Sequence, residues 1–317
     1  MLCFRHAFVR LTTATLVLII GMSPSHSRPT PESMELARTV RIADVHMHTV
    51  RGFDEQWLLG RMNRNNVYWG GAVGGQLFTD PIQVKAELGN RYISAFGQAE
   101  FTHVVTTKGE AALLNPAEPE FIDMMKSAEL ALQRGLSRGF GEIHVSNRGA
   151  FGAPLSFQRE ISLKSPVVRQ MFTLADRYSG FVQVHATRGS NFDEITEVAQ
   201  EFKNTYVVLS HCLPGSSASD IRALLERNPN IYCELSGTGP FHKNQRVYTS
   251  AGPWKPWLEV IELFPDRFMI GSDAFLGVHM GYDQILTEIR THLLPHLRQE
   301  TIKKVAFENA TKVFGLD

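Results

Sequence analysis

The amino-acid sequence predicts an α/β fold, a single (β/α)8 TIM barrel, on three observations. From Thr39 onward, short β-branched runs alternate with helical patterns, an order that argues for βα units around a parallel sheet rather than a sandwich or a bundle. Eight such runs occur, and each is almost continuously apolar, as strands covered on both faces must be. The length of 317 residues accommodates one such unit, since α/β barrels run to roughly 250 residues as a single domain. A doubly wound open sheet is the competing architecture.

The elements follow in order. No acidic side chain occurs before Glu32, Arg5 and Arg10 come first, and an apolar run extends from Leu11 to Met22. That run is shorter than the ~20 residues needed to cross a bilayer, and Ser25 and Ser27 offer a small-residue cleavage site before Arg28. The pattern predicts a secretory signal peptide over 1–27 and a periplasmic or secreted protein; an uncleaved anchor or an organellar presequence are the other readings. Residues 28–38 read as an N-terminal linker and 39–317 as one barrel domain. Strands are expected at Val40–His46, Val67–Val73, Tyr92–Phe96, Gly139–Val145, Phe181–His185, Tyr206–His211, Ile231–Leu235 and Phe268–Ser272.

Between them, Pro119 opens a helix with Phe121, Met125, Ala128 and Leu132 on one face, ended by Gly135. Ser165-Pro166 opens another that carries Val167, Val168, Met171, Leu174 and Ala175. Further helices are expected near Ile221–Leu225 and Trp257–Leu263, and a last one aligns Ile302, Val305, Ala306, Asn309 and Val313. Gln98–Glu118 reads as a long irregular connection over the active face.

Composition narrows the function. The chain is 43% hydrophobic and 20% charged, inside the globular range. Thirty-two basic against thirty-two acidic side chains give a net charge of +0, so no positive field exists to hold nucleic acid or an anionic membrane. The expected partner is a small-molecule substrate, with no nucleic acid, no membrane after signal cleavage, and homo-oligomerisation left open. Cys3 would leave with the signal, and Cys212 and Cys233 are expected as two buried thiols, one bridge between them being the alternative in an oxidising compartment.

Against the apolar strands, His46, Glu142, His185, His211 and Asp273 stand out, each at the carboxyl end of an expected strand, where barrel enzymes keep their chemistry. His46 and His48 are two apart, which in an extended strand turns both imidazoles to one side. Together the six form a nitrogen and oxygen ligand set without sulfur, which suits Zn²⁺ first and Mn²⁺, Fe²⁺ or Co²⁺ after it.

The chain resembles the amidohydrolase superfamily, and within it the amidohydrolase-related (amidohydrolase-2) branch, from about Arg41 to Leu316. The resemblance is carried by D-V-H-M-H at 44–48, V-Q-V-H at 182–185, V-L-S-H at 208–211, I-Y-C-E-L-S-G at 231–237, G-S-D-A at 271–274 and F-E-N-A-T-K-V-F-G-L at 307–316. It implies that His46, His48 and Asp273 bind a metal ion at the mouth of the barrel, that His185 joins that ion or a second one, and that Asp273 is the general base. Glu142 in its G-E-I context is similar to the strand-four carboxylate of TatD-type nucleases. With two ions, His46, His48, Glu142 and Asp273 would hold the first, and Glu142, His185 and His211 the second. With one ion, as in decarboxylase members, His211 is free to polarise substrate.

The expected function is an exported metal-dependent hydrolase acting on an amide, lactone or ester. The alternatives are a metal-dependent non-oxidative decarboxylase of an aromatic or unsaturated carboxylic acid, a TatD-like phosphoesterase, and a catalytically silent binding module. His144, Arg148 and Lys243 are the candidates for holding substrate. His103, His242, His279, His292 and His296 read as surface or packing residues, and Asn147, Trp69 and Trp254 have no assigned role.

Overall fold

The apolar runs lie side by side as parallel strands in chain order. The computed structural model describes residues 29–50, 54–76, 80–148, 157–276 and 281–316. The expected signal peptide at 1–27 and His279 lie outside the described residues.

The first run is split into β1 (Ile42–Asp44) and β2 (Met47–Val50), the second into β3 (Val67–Gly71) and β4 (Gly75–Gln76), and the third into β5 (Tyr92–Ile93) and β6 (Phe96–Gly97). Then come β7 (Gly139–His144), β8 (Phe181–His185), β9 (Tyr206–Leu209) and β10 (Ile231–Glu234). A small hairpin of β11 (Tyr248–Thr249) and β12 (Gly252–Pro253) precedes the eighth run, β13 (Phe268–Met269) and β14 (Ala274–Leu276). Strand β1 pairs with β3 and β3 with β5, while β6, β7, β8, β9, β10 and β13 form one parallel sheet. The eighth run returns to the first: β14 pairs with β2, Val45 N–H donates to Ile270 O at 3.0 Å, and Asp273 N–H donates to His46 O at 2.7 Å. This is the neighbour order of a (β/α)8 barrel.

Helices cover the sheet with one apolar face each. Pro166–Arg177 buries Val167, Val168, Met171, Phe172, Leu174 and Ala175. Each large side chain taken from water there contributes about 1.5–3 kcal/mol. Pro119–Gln133 starts at the expected proline, though Met124 rather than Met125 is its buried methionine. Among the described residues no helix is long and apolar enough to cross a membrane.

Three expectations are corrected. The stretch read as a linker holds the helix Pro31–Thr39: Thr30 Oγ1 accepts from Ser33 N–H at 3.1 Å, Ser33 Oγ accepts from Thr30 N–H at 3.0 Å, and Pro31 occupies the first turn. Ala37 is buried, and Ser33 Oγ donates to Pro295 O at 2.7 Å, so this helix docks on the body of the protein. The segment expected to be irregular contains the helix Gln98–Lys108 and a 3₁₀ turn, Glu110–Leu114. It begins after Gly97, whose φ of +108° suits glycine, and Glu100 Oε2 accepts from Gly97 N–H at 3.1 Å. Its Thr and Val content, low in helix propensity, hid it, but Phe101, Val104 and Val105 are buried on one face.

Third, Cys212 and Cys233 form a disulfide rather than two thiols. Strands β9 and β10 are neighbours with Leu209 opposite Cys233, and the chain turns back on itself at Ser210–Cys212. That turn brings the two Cα atoms to 4.6 Å, within bridging range.

Candidate metal centre

The break between β1 and β2 leaves His46 and His48 on either side of Met47, and both imidazoles are buried with their Nε2 atoms 3.1 Å apart. Asp273, in left-handed backbone between β13 and β14, places Oδ1 3.2 Å from His48 Nε2 and 3.5 Å from His46 Nε2. Glu142 enters from β7 and turns its two oxygens to different partners. Its Oε2 lies 3.3 Å from His46 Nε2 and 3.9 Å from His48 Nε2, while its Oε1 lies 2.9 Å from His185 Nδ1 and 3.5 Å from His211 Nε2. The six strand-end residues read from the sequence therefore come together. Three of their subsets bring ligand atoms within 4.8 Å of one another: His46, His48 and Glu142; His46, His211 and Asp273; Glu142, His185 and His211. His185, His211 and Asp273 are only partly buried and form the open side of the cluster.

A surrounding layer orients these groups. Glu234 Oε1 lies 2.8 Å from His46 Nδ1 and accepts from the backbone N–H of His211 at 2.5 Å, so one carboxylate orients the His46 imidazole and anchors the backbone that carries His211. Ser236 Oγ lies 2.8 Å from His211 Nδ1. Gln98 Oε1 lies 3.2 Å from His48 Nδ1 and Gln98 Nε2 donates to Glu142 Oε2 at 3.4 Å. Asp44 ties the first run to the eighth, accepting from Ser272 N–H at 2.8 Å and Ser272 Oγ at 2.6 Å. Position 271 has to be glycine: a Cβ there would stand 2.4 Å from Glu234 Oε2 and 2.6 Å from His46 Cβ.

The electrostatics follow from burial and mutual pairing. Burial would raise Glu142, but its close pairing with the imidazoles of His144, His46 and His185 holds its carboxyl well below the ordinary range. Burial likewise opposes Asp273, yet the bond to His48 and the charges of His46 and His211 keep it low. Burial works against a charged His46, and Glu142 and Glu234 overcome it, raising the imidazole well above its ordinary value. Asp44 is pushed up by burial to about 6 despite its bonds from Ser272 and the nearness of His46.

Of the three candidates for holding substrate, His144 is at the cluster, with Nε2 2.7 Å from Glu142 Oε2. Burial pushes it down to about 3, so it is neutral at physiological pH. Arg148 is exposed and pairs with Glu110 at 3.1 Å and Glu160 at 3.6 Å. Lys243 is exposed in a left-handed turn after Pro240–His242. Neither is hydrogen-bonded to the cluster. The sequence reading passed over Glu234, Gln98, Asp44 and Arg159. Arg159 is fully buried, donates from Nε to His144 O at 2.9 Å and from its backbone N–H to Asn147 Oδ1 at 2.8 Å, which clips the end of β7. His242, read as an ordinary residue, is half-buried in the electrostatic field of Asp273, His211 and His46.

The family model described as Amidohydrolase matches residues 108–316, well over half of the chain, from Glu142 through Asp273, with His46 and His48 ahead of the matched region. The chain belongs to the amidohydrolase family. With that membership it belongs among metal-dependent enzymes, and its histidine–carboxylate cluster is of metal-binding character. No curated protein matches it in sequence. Solved structures share the amidohydrolase's TIM-barrel fold. A 2,6-dihydroxybenzoate decarboxylase complexed with 2,6-dihydroxybenzoate is 11% identical with a TM-score of 0.51, over 88% of this chain and 99% of the other. An uncharacterised TIM-barrel protein from Bordetella bronchiseptica is 13% identical with a TM-score of 0.52, over 81% of each chain. A candidate 2-pyrone-4,6-dicarboxylic acid hydrolase from Pseudomonas putida is 13% identical with a TM-score of 0.51, over 88% of this chain and 98% of the other.

Proposed function

We propose that this amidohydrolase is an exported hydrolase that holds two divalent cations, zinc first among them, and cleaves an amide, lactone or ester bond of a small molecule. The observation that carries the proposal is the division of Glu142, one oxygen toward His46 and His48 and the other toward His185 and His211. The residues fit such ions. His46 and His48 have Nδ1 engaged by Glu234 and Gln98, which leaves Nε2 directed inward, and the donor set is nitrogen and oxygen alone. His46, His48, Glu142 and Asp273 would hold one ion, and Glu142, His185 and His211 the other. When bound, a divalent cation makes water nucleophilic at neutral pH and polarises the scissile bond.

The chain's own groups supply proton transfer and orientation. Asp273, kept ionised by the imidazoles around it, takes a proton from the attacking water and returns it to the leaving group. Were only one ion bound, His211, on the open side, would be free to face the oxygen on which charge develops. His144, neutral and next to Glu142, is the substrate contact nearest the cluster. Export is supported by the leader pattern of 1–27 and by the Cys212–Cys233 disulfide, since such bonds persist in oxidising compartments.

The test is metal content per chain in wild type beside Glu142→Ala, followed by turnover on amide, lactone, ester, phosphoester and aromatic carboxylic acid panels. About two ions falling to one or fewer, with hydrolytic product, is the expected result. One ion unchanged by the substitution, with CO₂ released, would replace the proposal by the decarboxylase alternative. In the same assay, Glu234→Gln is expected to weaken metal binding about 10- to 100-fold while the protein stays folded, because His46 loses its charged partner. Metal-binding titrations of wild type and variant check this.

A further inference from the structure

His211, Cys212 and Leu213 have φ angles of +53°, +48° and +58°. Left-handed backbone is uncommon for any residue but glycine, and three such residues in succession persist only where the surroundings over-determine them. Three sets of contacts do so here. Partly buried Arg246 donates to His211 O, to Cys212 O at 3.2 Å and to Ser216 O at 2.9 Å, with its guanidinium 5.0 Å above the Trp257 ring. Glu234 accepts from His211 N–H. The disulfide then joins Cys212, next to His211, to Cys233, next to Glu234. The covalent link and the His211–Glu234 hydrogen bond are thus adjacent rungs between the same two segments. Since Glu234 also engages His46 Nδ1 at 2.8 Å, whatever fixes Glu234 fixes the His46 imidazole and the backbone that carries His211.

We propose that Cys212 and Cys233 are positioning residues of the metal centre: their disulfide holds the left-handed turn that aims His211, and a chain lacking the bond binds cations weakly. The inference rests on the metal-centre reading above. Its chemistry is the oxidation of two thiols to one disulfide, two protons and two electrons passing to an oxidant of the thiol–disulfide exchange class in the compartment where the chain folds; the wild-type chain therefore reaches its full cation affinity only when made under oxidising conditions.

The experiment titrates Co²⁺ into metal-free wild type, Cys212→Ser/Cys233→Ser and Cys212→Gly/Cys233→Ser, following the visible absorption of the bound ion, with kcat and thermal midpoint measured on each. Both variants lose the cross-link, but glycine accepts φ of +48° without steric cost. The expected result is Co²⁺ affinity lowered about 10- to 100-fold in the Ser/Ser variant, with much of that loss recovered in the Gly/Ser variant, while the thermal midpoint falls in both. A disulfide that is only a staple would lower the midpoint and leave affinity untouched. A folded Ser/Ser variant with wild-type affinity, stoichiometry and kcat overturns the inference. Should that variant not fold, the comparison is made on wild-type protein reduced with a phosphine, freed of it by gel filtration and counted for thiols; wild-type affinity in the reduced protein is the overturning result. Oxidised wild type that binds no Co²⁺ overturns the metal-centre reading itself, and this inference with it.

Discussion

Asparagine at position 273 is expected to lower kcat by about 10²- to 10⁴-fold, the range that a positioned general base contributes. The substitution isolates the proton-accepting oxygen. Asp273 adopts φ of +56°, a conformation asparagine tolerates well, and its backbone N–H bond to His46 O at 2.7 Å does not involve the side chain. The carbonyl oxygen of the substituted amide can still face His48, so the turn and much of the ligand geometry stay in place. What disappears is a group that can take up a proton. KM is expected to change far less than kcat, and steady-state kinetics beside metal content and thermal midpoint check the separation. An Asp273→Asn enzyme with near-normal turnover would remove Asp273 from the role of base.

Removal of the Cys212–Cys233 link is expected to cost about 3 kcal/mol of stability, on the chain-entropy account of a closed loop of this size. The two residues are 21 positions apart and both side chains are fully buried, so alanine at both positions leaves no unpaired hydroxyl and the loss reports the cross-link together with a small packing term. Denaturant unfolding of oxidised wild type and Cys212→Ala/Cys233→Ala measures it. A midpoint unchanged between the two would show that the turn is held by Arg246 and Glu234 alone.

The site residues that the sequence revealed were those that break a strong physical rule. A strand buried on both faces is apolar, so Glu142 in β7, His185 at the end of β8 and His211 just beyond β9 are conspicuous, and the structure gathers them. Glu234 ends β10 and breaks the same rule, yet it acts behind His46 and carries no ligand spacing to distinguish it. Gln98 was hidden for a different reason. An uncharged amide at the start of a helix rich in Thr and Val offers neither a charge nor a clean period. The disulfide was illegible because two cysteines in one sequence give no distance, and their approach depends on a turn of three non-glycine residues in a conformation that propensity disfavours. Arg148 shows the converse limit: a loop arginine is as readily recruited by neighbouring carboxylates, here Glu110 and Glu160, as by a substrate.

The return of the eighth run to the first has a consequence for how the molecule is made. Strand β2 completes its ladder only with β14, and Ser33 bonds Pro295 across 262 positions of chain. Contacts of such separation form late, because the entropy of bringing distant segments together is lost before the contact stabilises anything. Until the eighth run arrives, β2 has only β4 beside it and the edge that receives β14 stays open. Long-range closure of this kind is expected to limit folding, and a barrel still open at that edge offers an unpaired strand to other chains.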